Sequence, residues 1–84
     1  MTQAIRDLMA ARDAAWRAWL LADDAWQQEL WREYPQDAGT RRYTADGVRT
    51  PRLKRLHGDW HRAGEAYRAA QADYVNAKNI EEFA

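Results

Sequence analysis

The chain has 84 residues, with 13 basic and 13 acidic side chains, five tryptophans and no cysteine. This length allows one small domain with a single core, and the lack of cysteine excludes disulfide scaffolds and thiolate zinc sites. The balanced charge excludes a uniformly basic nucleic-acid binder, and no apolar run has the length of a membrane span.

The first predicted element is a helix over about residues 3–34. This stretch contains no Pro or Gly and is rich in Ala, Leu, Arg, Glu and Gln, which favour helix. Thr2 is a typical N-cap residue, and Pro35 prevents the helix from continuing. The charged start of the chain lacks the apolar stretch of an export signal, so we expect a cytoplasmic protein.

Residues 35–50 form the predicted connection, which is rich in turn-forming residues. Sixteen residues are many for a link between two helices, so we expect this loop to be structured or functional. Residues 43–49 centre on Asp46 and Gly47, a dipeptide typical of tight turns, and could fold as a small β-hairpin.

The second predicted helix begins at Thr50 and Pro51, which have the pattern of an N-cap residue followed by proline at the first helical position. It runs to about residue 80. A long link lets this helix return beside the first one. The sequence therefore predicts an all-α, antiparallel two-helix hairpin that forms a single domain over residues 1–84.

Both helices carry large residues and alanines on separate lines at seven-residue spacing. The large line is Ile5, Arg12, Trp19 and Trp26 in the first helix, and Leu53, Trp60, Tyr67 and Tyr74 in the second. This pattern predicts close, coiled-coil-like packing. Matching the helix ends pairs Ile5 with Ile80, Trp19 with Tyr67 and Trp26 with Trp60. In that register Arg12 lies beside Asp73, and we expect an ion pair because an unpaired charge in a seam is costly.

A second apolar line lies beside the seam on the first helix, at about 100° per residue. We call it the outer stripe, and it consists of Met9, Trp16, Leu20, Leu30, Trp31 and Tyr34. An exposed apolar patch on a small protein usually marks an association site. Three interpretations stay open: the loop or Phe83 covers the stripe, two chains pair into a four-helix dimer, or the stripe binds a different protein.

The charges are segregated along the chain, with −2 in residues 1–34, +4 in residues 35–64 and −2 in residues 65–84. A hairpin should therefore have a basic loop end. We call this predicted patch the basic tip, and it consists of Arg41, Arg42, Tyr43, Arg49, Arg52, Lys54 and Arg55. These cations either pair with Asp37, Asp46 and Asp59, or bind an acidic protein surface, or bind nucleic acid.

No catalytic constellation can be recognised in the sequence. Serine and cysteine are both absent, and no glycine-rich phosphate loop exists. His57, His61 and Glu65 share one helical face and could hold a metal ion, but two surface histidines, or one paired with Asp23, fit the sequence better. We therefore expect no enzyme, no cofactor and no resident metal.

Two segments give the chain its general style, Ala10-Ala11-Arg12-Asp13-Ala14-Ala15-Trp16 and Thr50-Pro51-Arg52-Leu53-Lys54-Arg55-Leu56. In size and style the chain resembles the short Ala/Trp/Arg-rich helical hairpins of phages and mobile elements, which include anti-CRISPR inhibitors. This resemblance implies a small inhibitor that occludes a surface of a larger complex, for example a nucleoprotein, in the host cytosol. It carries over no functional residues.

The sequence thus predicts a helical hairpin that binds another protein through the outer stripe, with the basic tip as a second contact. Two alternatives remain from other classes. One is a small nucleic-acid-associated protein that uses the basic tip, and the other is a self-assembling structural subunit.

Overall fold

The computed structural model describes residues 2–83, which form three α-helices and one 3₁₀ helix. Helix α1 spans Gln3–Glu33, α2 spans Ala38–Arg41, the 3₁₀ helix spans Ala45–Val48 and α3 spans Pro51–Phe83. Helices α1 and α3 pack against each other along a molecule 53 Å long and 20 Å across. No strand occurs among the described residues. The predicted all-α hairpin is confirmed.

Both long helices begin where the sequence predicted, at threonine caps. The Thr2 hydroxyl accepts a hydrogen bond from the Ile5 amide at 3.2 Å. The Thr50 hydroxyl accepts one from the Leu53 amide at 3.0 Å. Each cap satisfies one of the amide groups that a helix leaves without a partner at its start.

The β-hairpin that residues 43–49 could have formed does not occur, because this stretch continues the turn after α2 and then forms the 3₁₀ helix. The Thr44 hydroxyl accepts a hydrogen bond from the Asp46 amide at 3.2 Å and caps that helix. Gly47 serves a different purpose from a hairpin turn. A Cβ atom at this position would lie 2.8 Å from the carbonyl oxygen of Arg42, so only glycine allows the backbone to fold back so closely.

A compact core occupies the end of the hairpin next to the loop. We call it the loop-end core, and it consists of Trp26, Leu30, Tyr34, Ala38 and Leu53. The Trp26 indole N–H donates to the Gly47 carbonyl at 3.0 Å, and the Tyr34 hydroxyl donates to the Asp46 carbonyl at 3.1 Å. Since both acceptors belong to the 3₁₀ helix, these bonds fasten the loop onto α1.

The register between α1 and α3 agrees with two of the predicted pairs. Trp19 stacks on Tyr67 with ring centroids 5.6 Å apart, and Trp26 lies 5.2 Å from Trp60. These contacts confirm the antiparallel direction, because residue numbers rise on one helix as they fall on the other. The third predicted pair does not close the far end, since Ile80 is 71% exposed.

Arg12 interrupts the seam without the partner that the sequence predicted. Its guanidinium lies over the Tyr74 ring, 4.4 Å from the centroid, and pairs with the Asp13 carboxylate at 3.0 Å. The predicted Arg12–Asp73 ion pair is therefore wrong. A tyrosine face and the neighbouring carboxylate on the same helix stabilise the cation instead.

Candidate functional site

The outer stripe divides into a covered part and an open part. Leu30 is completely buried and Tyr34 is buried beside it in the loop-end core. The prediction that these two side chains are exposed is wrong, because the loop folds back over this part of α1. Phe83 has no part in the covering, since it is 90% exposed.

The open part of the stripe borders a groove. We call it the tryptophan groove; it measures about 270 Å³ and is lined by Trp16, Trp19, Leu20, Asp23 and Trp60. The Trp16 and Trp19 rings meet edge to face at 84°, with centroids 5.7 Å apart. Trp16 is 43% exposed and Leu20 is 50% exposed. The groove is thus an open apolar concavity with two large side chains on its rim.

Helix α3 contributes Trp60 to the lining of this groove, and it also sets the position of the lining residue Trp19 through Gly64. Gly64 is buried, and a Cβ atom there would lie 3.0 Å from the Trp19 indole. The missing side chain therefore lets Trp19 lie against the α3 backbone. The sequence contains one signal that could have indicated this packing. Gly64 stands seven residues from both His57 and Gln71, so these residues form a third line at heptad spacing on α3.

An arginine from the loop contacts two residues that line the groove, Asp23 and Trp60. Arg42 donates hydrogen bonds to the Asp23 carboxylate and the Gln27 amide oxygen. Its guanidinium lies 4.5 Å from the Trp26 ring centroid and 5.4 Å from that of Trp60. Although we predicted Arg42 in the basic tip, its side chain contacts α1 and Trp60 of α3. Asp23 pairs with this arginine rather than with a histidine.

The other two stripe residues lie away from the groove. Trp31 is 53% exposed, but it follows Leu20 by eleven positions, which is about 16 Å along a helix. Met9 is half-buried on the opposite side of Trp16. The structure therefore brings together Trp16 and Leu20 out of the six predicted residues and does not bring Met9 or Trp31 into the same concavity.

Much of the basic tip is held in internal contacts. Arg41 pairs with Asp37 at 2.9 Å and also with Asp46, as predicted. Arg49 lies over the Tyr34 ring, 5.3 Å from its centroid. Within residues 2–83, exposed side chains at the tip that form no ion pair are those of Tyr43, Arg49, Lys54 and Arg55. The predicted use of Asp59 is wrong, because this carboxylate pairs with Arg62.

The net positive charge of the loop end is smaller than the sequence predicted, because Arg32 is the one cation that α1 brings to this end. The prediction counted charges by segment, but the second half of α1 lies at the loop end and brings acidic side chains with it. These are Asp23, Asp24, Glu29 and Glu33. The carboxylates of Asp23 and Glu29 pair directly with Arg42 and Arg52, the latter at 3.3 Å. The fold therefore offsets most of the positive charge that the loop sequence concentrates.

Glu29 is the buried acidic residue that joins the two long helices. Arg32 donates two hydrogen bonds to its carboxylate, at 2.8 and 2.6 Å, and Arg52 approaches from α3. The hydrogen bond from Arg32 lowers the pKa of Glu29 although burial opposes the shift. Sequence analysis did not single out this residue, because one glutamate on a long helix carries no distinctive pattern.

The two histidines do not assemble a metal site. The His57 ring packs edge to face against Trp26 at 4.9 Å, and His61 Nε2 lies 4.0 Å from the Glu65 carboxylate. Over residues 2–83, no three His, Asp or Glu side chains are grouped so that they could hold a metal ion. His57 therefore belongs to the aromatic packing between α1 and α3.

Comparison of the chain with protein-family models, with curated proteins and with solved structures found no match. In residues 2–83, no helix is both long and apolar enough to cross a membrane. The interpretation of the tryptophan groove therefore rests on its own geometry and chemistry.

Proposed function

We propose that this protein is a non-catalytic interaction module that binds another protein chain through the tryptophan groove. The supporting observation is the combination of an apolar concavity with two half-exposed side chains, Trp16 and Leu20, on its rim. Tryptophan is a frequent anchor of protein interfaces, and a concave apolar patch offers the pocket that a partner's anchor fills.

The groove has little chemistry to offer a substrate. At about 270 Å³ it lies just under the range of roughly 300–1,000 Å³ that is typical of small-molecule sites, and it is open along one side. Its one carboxylate, Asp23, is already neutralised by Arg42. Burial of apolar side chains is what such a surface does well, which favours a protein partner over a reaction.

Nucleic acid is a weaker candidate than protein. Arg41, Arg42 and Arg52 would have to leave carboxylate partners before they could neutralise phosphates. The partner class includes a second copy of the hairpin, which would give a four-helix bundle, and also a different protein. Inhibition by covering a surface of a larger complex, which the resemblance to small phage inhibitors implies, would use the same face.

Two adjacent leucines on α1 provide a matched test. Leu20 lines the groove, whereas Leu21 is 72% exposed and does not line it. Two variants carry a photo-cross-linking amino acid, one at position 20 and the other at position 21. Each variant is produced in cells of the native host, which are then irradiated. We expect a discrete protein adduct from position 20 and none from position 21. Equal yields from both positions, or no adduct from position 20, would contradict the proposal.

A further inference from the structure

We infer that the occupant of the tryptophan groove is a second copy of this chain. In this dimer the two α1 helices pack antiparallel about a twofold axis, and Trp16 of each copy lies against Leu20 of the other. The inference rests on the proposed function, because it names the chain that the groove binds.

The position of the groove on α1 suits a twofold axis. Helix α1 spans Gln3–Glu33, so its midpoint is Ala18, and the rim residues Trp16 and Leu20 lie at equal distances on either side. When two such helices lie side by side, antiparallel and with their ends matched, each Trp16 faces Leu20 of the other copy. A twofold interface requires a projecting group and a matching hollow in the same patch, and the groove with its half-exposed rim provides both.

The loop favours the antiparallel orientation. Arg42 reaches from the loop to Asp23 and Gln27, so the loop lies over the second half of α1, while the first half, which includes Met9, has no such cover. A parallel dimer would bring the two loops together at the same end of the dimer. The antiparallel dimer places the loop of each copy beside the uncovered half of α1 of the other.

The middle of the hairpin lacks a core of its own. No residue of α1 between positions 6 and 25 is buried, and Gly64 is the buried residue of α3 beyond Leu53. Chains of this size often complete their core by oligomerisation. With a flank 53 Å long and 20 Å wide, the molecule has room for the roughly 800 Å² per partner that a standard interface buries.

The charges permit this association. The chain has no net charge, which removes the long-range repulsion that keeps highly charged proteins apart. The carboxylates nearest the proposed contact are those of Asp13 and Asp23. Each of them is already paired, with Arg12 and Arg42 respectively, so bringing two copies together leaves neither carboxylate bare.

The first test measures mass by sedimentation across a dilution series. We expect the wild-type chain to sediment at twice 9.8 kDa at high concentration. Leu20→Asp should weaken the association by about tenfold or more, because it places an unpaired carboxylate in the interface. Leu21→Asp should leave it unchanged. Circular dichroism verifies that both variants keep their helices, and Trp16→Ala provides a second interface variant.

The second test measures orientation. Since the chain has no cysteine, Arg6→Cys gives a single site for a spin label on the exposed face of α1. The antiparallel dimer predicts two labels about 36 Å apart along the helix axis, from 1.5 Å per residue. A parallel dimer would bring them close together.

Three results would overturn the inference. They are a monomer at every concentration, equal effects of Leu20→Asp and Leu21→Asp, and a short distance between the spin labels. A monomer that still forms a cross-link from position 20 to a different protein would reject the second copy and leave the proposed function standing. Loss of both the dimer and the cross-link would reject both.

Discussion

At the loop end, Leu30, Ala38 and Leu53 are completely buried, whereas along the middle of α1 no residue between positions 6 and 25 is buried. Both regions are rich in tryptophan and leucine, so composition does not account for the difference. The loop does, because α2 and the 3₁₀ helix supply a third layer at one end of the hairpin. Two helices without a third layer leave the aromatic side chains Trp16, Trp19 and Tyr67 only partly covered.

This difference divides the molecule by role. The loop-end core holds most of the completely buried side chains, and the middle leaves apolar surface exposed, where we propose that a partner binds. Trp26 and Trp16 illustrate the division. Trp26 is buried and donates a hydrogen bond to the Gly47 carbonyl, whereas Trp16 is 43% exposed and lines the tryptophan groove.

The largest expected effect comes from removing a leucine of the loop-end core. Leu30→Ala should lower the free energy of unfolding by about 2–5 kcal/mol, because it removes buried methyl groups and leaves a cavity. Leu21→Ala is the matched control on the same helix and should change it by no more than about 0.5 kcal/mol. Urea denaturation followed by circular dichroism measures both. Similar losses for the two variants would mean that stability is not concentrated at the loop end.

A smaller effect is expected from the buried carboxylate that joins α1 to α3. Because the pKa of Glu29 is lowered in the folded chain, its stabilisation is present above the unfolded pKa. It is lost as pH falls through the lower folded value. Glu29→Gln should therefore cost about 1–3 kcal/mol at neutral pH and flatten the loss of stability in acid.

Glu65→Gln is the control for this pH dependence, because Glu65 forms an exposed ion pair with Arg68 at 3.0 Å. Exposed pairs contribute little, so this variant should keep the wild-type pH profile. Denaturation curves between neutral and acidic pH compare the three proteins. If Glu29→Gln kept the wild-type slope in acid, the link between α1 and α3 would not depend on this charge.

Helix bounds, caps and the antiparallel seam were predictable because each depends on residues close together in sequence or on a regular period. Thr2, Thr50 and Pro35 mark the helix ends by local chemistry, and the heptad lines place Trp19 opposite Tyr67. The burial of Leu30 under the loop was one of three interpretations that the sequence left open. It depends on a loop that folds back over α1. The turn-forming residues predict that a loop is present, but they do not predict the path that the loop takes.

The tryptophan groove was predictable only in part for a related reason. The helical period placed Trp16 and Leu20 on one face of α1, but the groove also needs Trp60 of α3. Its lining residue Trp19 lies where it does because Gly64 of α3 has no side chain. Likewise, counting charges by segment identified the cations of the loop but missed the carboxylates that α1 brings beside them. Contributions from a second element become visible only once the packing is known.

The smallest effect on stability, and the one most specific to the groove, is expected at Gly64. In the interior of a helix, alanine is more stable than glycine by up to about 1 kcal/mol. Gly58→Ala should therefore stabilise α3 by about this amount. The added methyl group has room, because its nearest neighbour would be the flexible end of the Arg62 side chain at 3.3 Å. At Gly64 the same gain should be offset, because the added methyl group would press on the Trp19 indole at 3.0 Å.

Trp19 can shift in response, since its indole nitrogen is buried and forms no hydrogen bond within residues 2–83. We therefore expect Gly64→Ala to leave the free energy of unfolding nearly unchanged while it alters tryptophan fluorescence and weakens binding at the groove. Gly58→Ala should do the reverse, with higher stability and unchanged binding. Unchanged binding in Gly64→Ala would show that the position of Trp19 does not shape the surface that the partner contacts.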